Sequence, residues 1–121
     1  MTVSHSDIGR QGEQLAAQYL LQRGYTLLTA NWRCAGGEID IVARQDTTIV
    51  FVEVRTRRAA TVDTALESIT PRKRQRMLTA AQLYLAQNEL DSADWRIDVI
   101  AVALPRSSAP LIEHLENGLD W

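Results

Sequence analysis

Residues 48–55 constrain the fold of this chain more than any other part of its sequence. The segment is rich in β-branched residues, and its apolar run from position 49 to position 52 is uninterrupted. An apolar strand without polar alternation is typical of burial on both faces, as in the central strand of a covered sheet. We therefore predict an α/β protein built around this strand.

The remaining elements follow from periodicity and turn signals. Apolar residues at helical spacing predict a helix over residues 7–23, which Gly24 ends. Strands are predicted at 25–33, 38–44, 48–55, 95–104 and 111–115. A short helix is predicted at 63–69, and Thr70 with Pro71 predicts the start of a long helix that ends near residue 88. The order α-β-β-β-α-β-β predicts a mixed central sheet flanked by helices, with an antiparallel meander and a parallel crossover.

Length and composition limit the protein class. A chain of 121 residues predicts a single domain over residues 9–121, preceded by a flexible N-terminal segment, residues 1–8. The single cysteine, Cys34, excludes a disulfide framework and a thiolate zinc site. No apolar run approaches the roughly 20 residues of a membrane span, and no signal pattern opens the chain. We expect a cytoplasmic protein that does not enter a membrane.

Charged residues stand at the end of the apolar central strand. Glu53 and Arg55 lie two positions apart, so both side chains point to one face of the sheet. Positions 40 and 53 are symmetric about the turn near Asp46, so an antiparallel hairpin brings Asp40 opposite Glu53. Two adjacent carboxylates repel unless a proton or a cation such as Mg²⁺ lies between them. The alternative is a buried ion pair of these acids with Arg55 or Arg57.

Three further acids are candidates for a site. Glu13 lies at the edge of the apolar stripe of the first helix, where it can face either the sheet or solvent. Glu38 is either a further ligand or an exposed acid beside the turn. Asp98, on a buried strand, is predicted to pair with a basic residue of segment 55–76. The tryptophans are predicted to pack in the core or at its edge rather than stack on bases: Trp32, Trp95 and Trp121.

Taken together, these motifs resemble a known superfamily. The letters GE at positions 12–13, GGEID at 36–40 and FVEVR at 51–55 follow the order and spacing of the restriction-endonuclease-like superfamily. More closely, residues 9–118 resemble the small bacterial YraN family, which has no assigned function and is similar to archaeal Holliday-junction resolvases. The resemblance implies a restriction-endonuclease-like α/β fold and phosphodiester hydrolysis.

The resemblance also implies roles for individual residues. Asp40 and Glu53 would be ligands of Mg²⁺ or Mn²⁺, with the carbonyl of Val54 as a third ligand, and Glu13 would be the helix acid near the metal. The usual lysine position of the superfamily holds Arg55 here. Arginine stays protonated and cannot act as a base, but its guanidinium can stabilise charge on a scissile phosphate. Glu13, Asp40, Glu53 and Arg55 are the predicted catalytic residues.

Positive charge is concentrated in one segment. The formal net charge is −2, but residues 55–76 contain seven basic and two acidic residues. Four of the basic residues crowd the first turns of the long helix, where cations oppose the helix dipole. A bound phosphate would reconcile this arrangement, and a solvated face is the alternative. The residues expected to contact a nucleic-acid backbone are Arg57, Arg58, Arg72, Lys73 and Arg74.

These observations predict a divalent-metal-dependent endonuclease that acts on structured or branched DNA. The alternative, favoured by Arg55, is a nucleic-acid-binding module with a nuclease fold and little or no catalysis. A third hypothesis is a protein-interaction domain whose acidic C-terminal segment meets a basic partner. Analogy with resolvases, which act on two strands as dimers, predicts a homodimer.

Overall fold

A computed structural model describes residues 5–118, with the side chains from residue 7 onward. The first helix begins at His5, so residues 5–8 of the segment expected to be flexible are helical; residues 1–4 and Trp121 lie outside the described residues. The elements are α1 (His5–Gln22), β1 (Thr26–Cys34), β2 (Gly37–Gln45), β3 (Thr48–Arg57), α2 (Asp63–Glu67), α3 (Pro71–Gln87), β4 (Asp94–Ala103) and β5 (Leu111–Leu115).

The five strands form one mixed sheet in the order β1-β2-β3-β4-β5. Strands β1, β2 and β3 pair as an antiparallel meander, β3 and β4 pair in parallel, and β5 pairs antiparallel with β4. Val50, Phe51 and Val52 of β3 are at most 1% exposed, as expected of a central strand. The predicted mixed α/β architecture and its element order are confirmed, and the arrangement is consistent with a restriction-endonuclease-like fold.

Helices cover both faces of the sheet. On one face, Val50, Val52 and Val54 of β3 pack in a cluster with α1, and on the other, Ile49 and Phe51 pack with α3. This alternation follows the two-residue period of a strand, so it places Glu53 and Arg55 on the α3 side. The acid and the base of the central strand therefore share one face, as predicted.

Strand β2 departs from simple alternation. Ile39, Ile41 and Ala43 are predicted to share a face, but Ile39 packs on the α3 side, whereas Ile41 and Ala43 pack on the α1 side. An irregularity of the backbone accompanies this change of face: Asn31, which lies between the β1 residues paired with Ile41 and Ile39, has a left-handed conformation with φ 52°. Asp40 lies between Ile39 and Ile41, where β2 changes the face that it presents.

Helix α1 approaches β3 closely because residue 12 has no side chain. A Cβ atom on Gly12 would lie 1.8 Å from Oγ1 of Thr56 and 2.7 Å from its Cβ. No other residue type fits this space without a shift of the helix or the strand. The next residue, Glu13, is consequently held against the sheet.

Candidate active site

The two acids of the hairpin lie where β2 and β3 part. The ladder between these strands ends at the pair of Ile41 and Val52. Beyond it, β2 remains paired with β1 as far as Gly37, and β3 remains paired with β4 as far as Arg57. Asp40 and Glu53 are the first residues past the last shared pair, so they flank a fork in the sheet.

The two acids lie close to each other across the fork. The Val54 N–H donates to Oδ2 of Asp40 over 2.8 Å, which replaces the missing main-chain ladder. The carboxyl groups of Asp40 and Glu53 lie within hydrogen-bonding reach of each other. Oε1 of Glu53 also accepts from Nη1 of Arg55 over 3.2 Å, and the side chains of that ion pair are only 14% and 15% exposed. The ion pair that the sequence allowed as an alternative is thus present together with the carboxylate pair.

This proximity makes full ionisation unfavourable. Burial raises the pKa of Glu53, and the charge of Asp40 raises it further, to about 8, although Arg55 opposes both effects. Burial also raises the pKa of Asp40. The hydrogen bond from Val54 lowers this pKa, and the charge of Glu38 offsets part of that lowering. At neutral pH the pair therefore retains a proton unless a cation replaces it.

Glu13 faces the sheet from the α1 side. Its carboxyl group lies within hydrogen-bonding reach of Asp40, and its pKa is raised by burial and then by the charge of Asp40. Glu38, by contrast, is 60% exposed and pairs with Arg33 at 3.7 Å. The structure thus places Glu13 and Glu53 each within reach of Asp40 and leaves Glu38 as the exposed acid at their edge.

The oxygen donors at the fork suit a hard cation. Within residues 5–118, no three His, Cys, Asp or Glu side chains form a cluster able to hold a metal ion by themselves. The oxygen donors at the fork are therefore the carboxylates of Asp40 and Glu53 and the carbonyl of Val54. The Val54 N–H points at Asp40, and the N–H and C=O of a strand residue point the same way, so this carbonyl also points into the fork. Mg²⁺ and Mn²⁺ take oxygen donors of this kind and keep several waters, so the donor set fits them.

A small cavity of about 110 Å³ adjoins the acids on the α3 side, lined by Glu38, Glu53, Arg55, Lys73, Arg76 and Met77. Ser68 holds the two cations nearest the acids: Arg55 Nε donates to its Oγ over 2.8 Å, and Lys73 Nζ donates to its carbonyl over 3.5 Å. Burial lowers the pKa of Lys73, and the charge of Arg55 lowers it further. We call this space the cationic cavity.

Arg76, which lines this cavity, and Ser68, which holds two of its cations, were not predicted as site residues. Arg76 lies in the basic segment, so its charge was the available signal. Ser68 gave none, because a serine beside a short helix reads as an ordinary turn residue.

The other predicted backbone-contacting residues lie outside the cationic cavity. Arg57 donates from Nη1 to the carbonyl of Thr56 over 2.7 Å. Arg58 lines a separate cavity of about 510 Å³ together with Arg106. Arg72 and Arg74, on the first turn of α3, do not line either space. Of the five residues predicted to grip a nucleic acid, only Lys73 lies in the cationic cavity.

The predicted pairing of Asp98 with a basic residue of segment 55–76 is wrong. Asp98 is fully buried and accepts from Arg96 Nε at 3.0 Å, from His114 Nε2 at 2.7 Å and from the Asn117 N–H at 3.1 Å. It lies level with Val52, on the face opposite Arg55, so the basic segment is out of reach. Burial raises the pKa of Asp98, but these hydrogen bonds outweigh it and hold the pKa below its usual value. The group is a satisfied structural network.

The aromatic side chains pack as predicted. Trp32 makes an edge-to-face contact with Tyr84 at 5.3 Å between ring centres, and Trp95 makes one with Phe51 at 6.0 Å. Both belong to the cluster on the α3 side. None of the helices in residues 5–118 has the length and apolar character needed to cross a membrane.

Comparison with known proteins gives consistent matches. The family model described as "Uncharacterised protein family UPF0102" matches residues 12–102. A UPF0102 protein of Roseiflexus castenholzii is 49% identical over 122 residues, covering 99% of this chain and 98% of that protein. One of Herpetosiphon aurantiacus is 46% identical over 115 residues, covering 90% of each chain. One of Geobacter sulfurreducens is 42% identical over 113 residues, covering 93% of this chain and 88% of that protein.

Proposed function

The chain belongs to the uncharacterised protein family UPF0102, also called the YraN family, and we propose that it is a divalent-metal-dependent endonuclease acting on structured or branched DNA. One observation carries the proposal. Asp40 and Glu53 lie side by side at the fork, where burial and the charge of Asp40 oppose ionisation of Glu53, and the cations Arg55 and Lys73 lie next to Glu53. A divalent ion between the acids and a phosphate beside the cations would balance these charges.

Metal binding is assigned to the oxygen donors of the fork. Asp40, Glu53 and the Val54 carbonyl would hold Mg²⁺ or Mn²⁺, which when bound lowers the pKa of a water molecule and offsets charge on the leaving oxygen. Glu13 adds a third carboxyl group beside Asp40 without being needed as a ligand. Burial and the charge of Asp40 raise its pKa, so this carboxyl group holds a proton more readily than an exposed glutamate does.

The cations of the chain are assigned to the phosphate. Arg55 is held at Nη1 by Glu53 and at Nε by Ser68, so its guanidinium has a fixed orientation. A fixed guanidinium stabilises developing phosphate charge without reorganising, which is the main way that preorganised donors accelerate a reaction. Lys73, anchored on the same serine, supplies a second positive charge.

Cleavage of labelled DNA with Mg²⁺ or Mn²⁺ tests this proposal. We expect the full chain to cleave one or more members of a panel of branched, flap, single-stranded and duplex DNAs, and EDTA to abolish cleavage. Asp40→Asn should lower the rate at least about 100-fold, in line with loss of an essential catalytic group.

Asp46→Asn is the matched control. Asp46 lies in the turn of the same hairpin with φ 54°, a conformation that asparagine also tolerates. The cleavage rate of this variant should therefore equal that of the wild type. If the wild type and Asp40→Asn are equally inert over the whole panel with both metals, the chain is not an endonuclease.

A nucleic-acid-binding module without appreciable catalysis is the second candidate, and Arg55 favours it because arginine cannot serve as a base. This candidate predicts salt-sensitive DNA binding that persists in EDTA and in Asp40→Asn, together with no cleavage. The two candidates are thus separated by the same set of reactions.

A further inference from the structure

A second and larger cavity lies on the other side of the sheet from the cationic cavity. Its volume is about 440 Å³, and it runs between α1 and β1. Ala17, Leu27 and Leu28 form apolar walls, and the amide side chains of Gln14 and Asn31 border it. Ala17 and Leu27 pack with the α1 cluster, whereas the cationic cavity contains Met77 of the α3 cluster. We call this larger space the α1–β1 groove.

The two spaces meet at the fork. Asp40 lines the α1–β1 groove, and Glu53, which lies within hydrogen-bonding reach of Asp40, lines the cationic cavity. On the cationic side the chain presents Arg55 and Lys73. On the groove side, the charged groups are Glu13 and Asp40 at the inner end and Arg10, which is paired with Asp7. A charged compartment and a mostly uncharged one are thus joined through the acids.

This succession of environments matches the chemistry of one nucleotide. A nucleotide joins a charged phosphate, through one sugar, to an uncharged planar base with hydrogen-bonding edges. We propose that the α1–β1 groove binds an unpaired base of the nucleic acid whose phosphate lies at the fork. The inference rests on the proposed function and deepens it, because it names the substrate class: nucleic acid with an unstacked base beside the cleaved bond.

The walls of the groove suit this occupant. Leu27 and Leu28 offer apolar contact to the face of a base, and the amides of Gln14 and Asn31 can donate to and accept from its edge. The volume falls within the range of roughly 300–1,000 Å³ typical of small-ligand sites. Extracting a base from a duplex costs unstacking and unpairing energy, which is lowest for a base that is already unpaired. The groove would therefore select bulges and junctions over intact duplex.

Binding measurements on three matched DNAs test the inference. Fluorescence anisotropy in Ca²⁺ compares a fully paired duplex, the same duplex with one unpaired base, and that duplex with an abasic nucleotide at the unpaired position. The abasic DNA retains the phosphates and the bend but lacks the base. We expect the unpaired base to improve affinity about 10-fold over the abasic site, because only the base can contact the apolar walls of the groove.

Two variants address the groove itself. Ala17→Phe fills it and should abolish the preference for the unpaired base while leaving duplex binding unchanged. Leu28→Ser removes an exposed wall without overfilling and should reduce the preference several-fold. Ala86→Phe, the same substitution near the far end of α3, is the control and should retain the full preference. Circular dichroism confirms that each variant is folded.

The outcomes separate this inference from the proposed function. Equal affinity of the wild type for the unpaired-base and abasic DNAs overturns the groove assignment, while the cleavage test stands on its own. An undiminished preference in both folded groove variants also overturns it. Failure to bind any of the three DNAs overturns the groove assignment and the proposed function together.

Discussion

At the residue scale, Glu53 differs most from its ordinary chemistry. Its pKa rises from 4.5 to about 8 because burial and the charge of Asp40 both disfavour ionisation. The folded protein therefore holds a proton that the unfolded chain has already lost. This difference in bound protons determines whether the free energy of unfolding rises or falls with pH.

We expect the free energy of unfolding of the metal-free protein to fall as pH rises from about 4.5 towards 8, the interval between the two pKa values. Mg²⁺ at pH 8 should restore it, because the ion replaces the lost proton. Urea unfolding at pH 5 and pH 8, in EDTA and in Mg²⁺, measures both effects. Glu53→Gln should have a flatter pH dependence and no response to Mg²⁺; a slope equal to that of the wild type contradicts the assignment.

Asp98 contributes a pH dependence of stability of the opposite sign. Its pKa in the folded protein lies below the ordinary value, so its stabilising effect is present above about pH 4 and is lost as pH falls through the folded pKa. Asp98→Asn breaks a buried, fully satisfied network and should lower the free energy of unfolding by about 3 kcal/mol at pH 7.

The difference between Asp98→Asn and the wild type should shrink in acid. Chemical unfolding at pH 7 and pH 3 checks this, with Asp94→Asn, at the exposed start of β4, as the control. If Asp98→Asn lowers the free energy of unfolding by the same amount at both pH values, an ionised Asp98 is not the source of the loss.

The sequence predicted some residue contacts and not others for a physical reason. The proximity of Asp40 and Glu53 follows from the symmetry of a hairpin, which is a local property. Of the partners of Asp98, Arg96 lies two positions away on the same face of β4, but His114 of β5 and Asn117 of the turn after it depend on the packing of elements that local patterns do not relate.

At the element scale, the contact between α1 and β3 decides where Glu13 lies. Gly12→Ala would place a Cβ within 1.8 Å of Oγ1 of the buried Thr56. Overpacking of this kind typically costs about 1–3 kcal/mol, and we expect a loss at the upper end of that range. The shifted helix would also move Glu13 from Asp40, so DNA cleavage should fall.

Gly9→Ala provides a control in the same helix. Nothing lies within 4 Å of a Cβ at Gly9, so the substitution should stabilise the helix by about 0.5–1 kcal/mol and leave cleavage unchanged. Thermal unfolding of both variants makes the comparison, and a Gly12→Ala protein as stable as Gly9→Ala would exclude the close contact.

The elements themselves were largely predictable. The central strand followed from its β-branched run, and the strands before it followed from alternation and apolar residues. Thr70 does cap α3, since its Oγ1 accepts from the Lys73 N–H at 3.2 Å. The prediction that Ile39 shares a face with Ile41 was wrong, because a backbone irregularity such as the left-handed Asn31 cannot be inferred from alternation alone. The start of α1 was placed two residues late because its first turn is polar and contributes no apolar periodicity.

At the scale of the whole molecule, positive charge is local rather than spread over the surface. Arg55, Lys73 and Arg76 line the cationic cavity, although the chain as a whole is acidic. The proposed DNA binding would then make few phosphate contacts and have a shallow salt dependence, because each contact contributes a slope of about 0.9 in log affinity against log salt.

Lys73→Ala should lower the salt slope by about 1 and weaken binding to all DNA sequences alike. Arg44→Ala, at an exposed position near the other end of β2, should leave the slope unchanged. Titration of labelled DNA at four salt concentrations measures the slopes. An equal reduction in both variants would show that general charge, not the cavity, determines binding.

The fold at this scale was predictable from topology and resemblance, but the α1–β1 groove was not. Strand order follows from turn lengths and the crossover rule. A groove depends on how far apart a helix and a strand settle, and here the small side chains of Ala17 and Ala30 help to leave the space.

The pairing of β3 has a consequence for folding kinetics. β3 meets β2 across a two-residue turn, but it meets β4 only after residues 58–93 have been crossed. Short loops close first, so the β2–β3 hairpin is expected to form early, and with it the contact between Asp40 and Glu53. Their repulsion would then act at the folding transition state, so stopped-flow refolding at pH 8 should be faster in Mg²⁺ than in EDTA, and equally fast in both for Glu53→Gln.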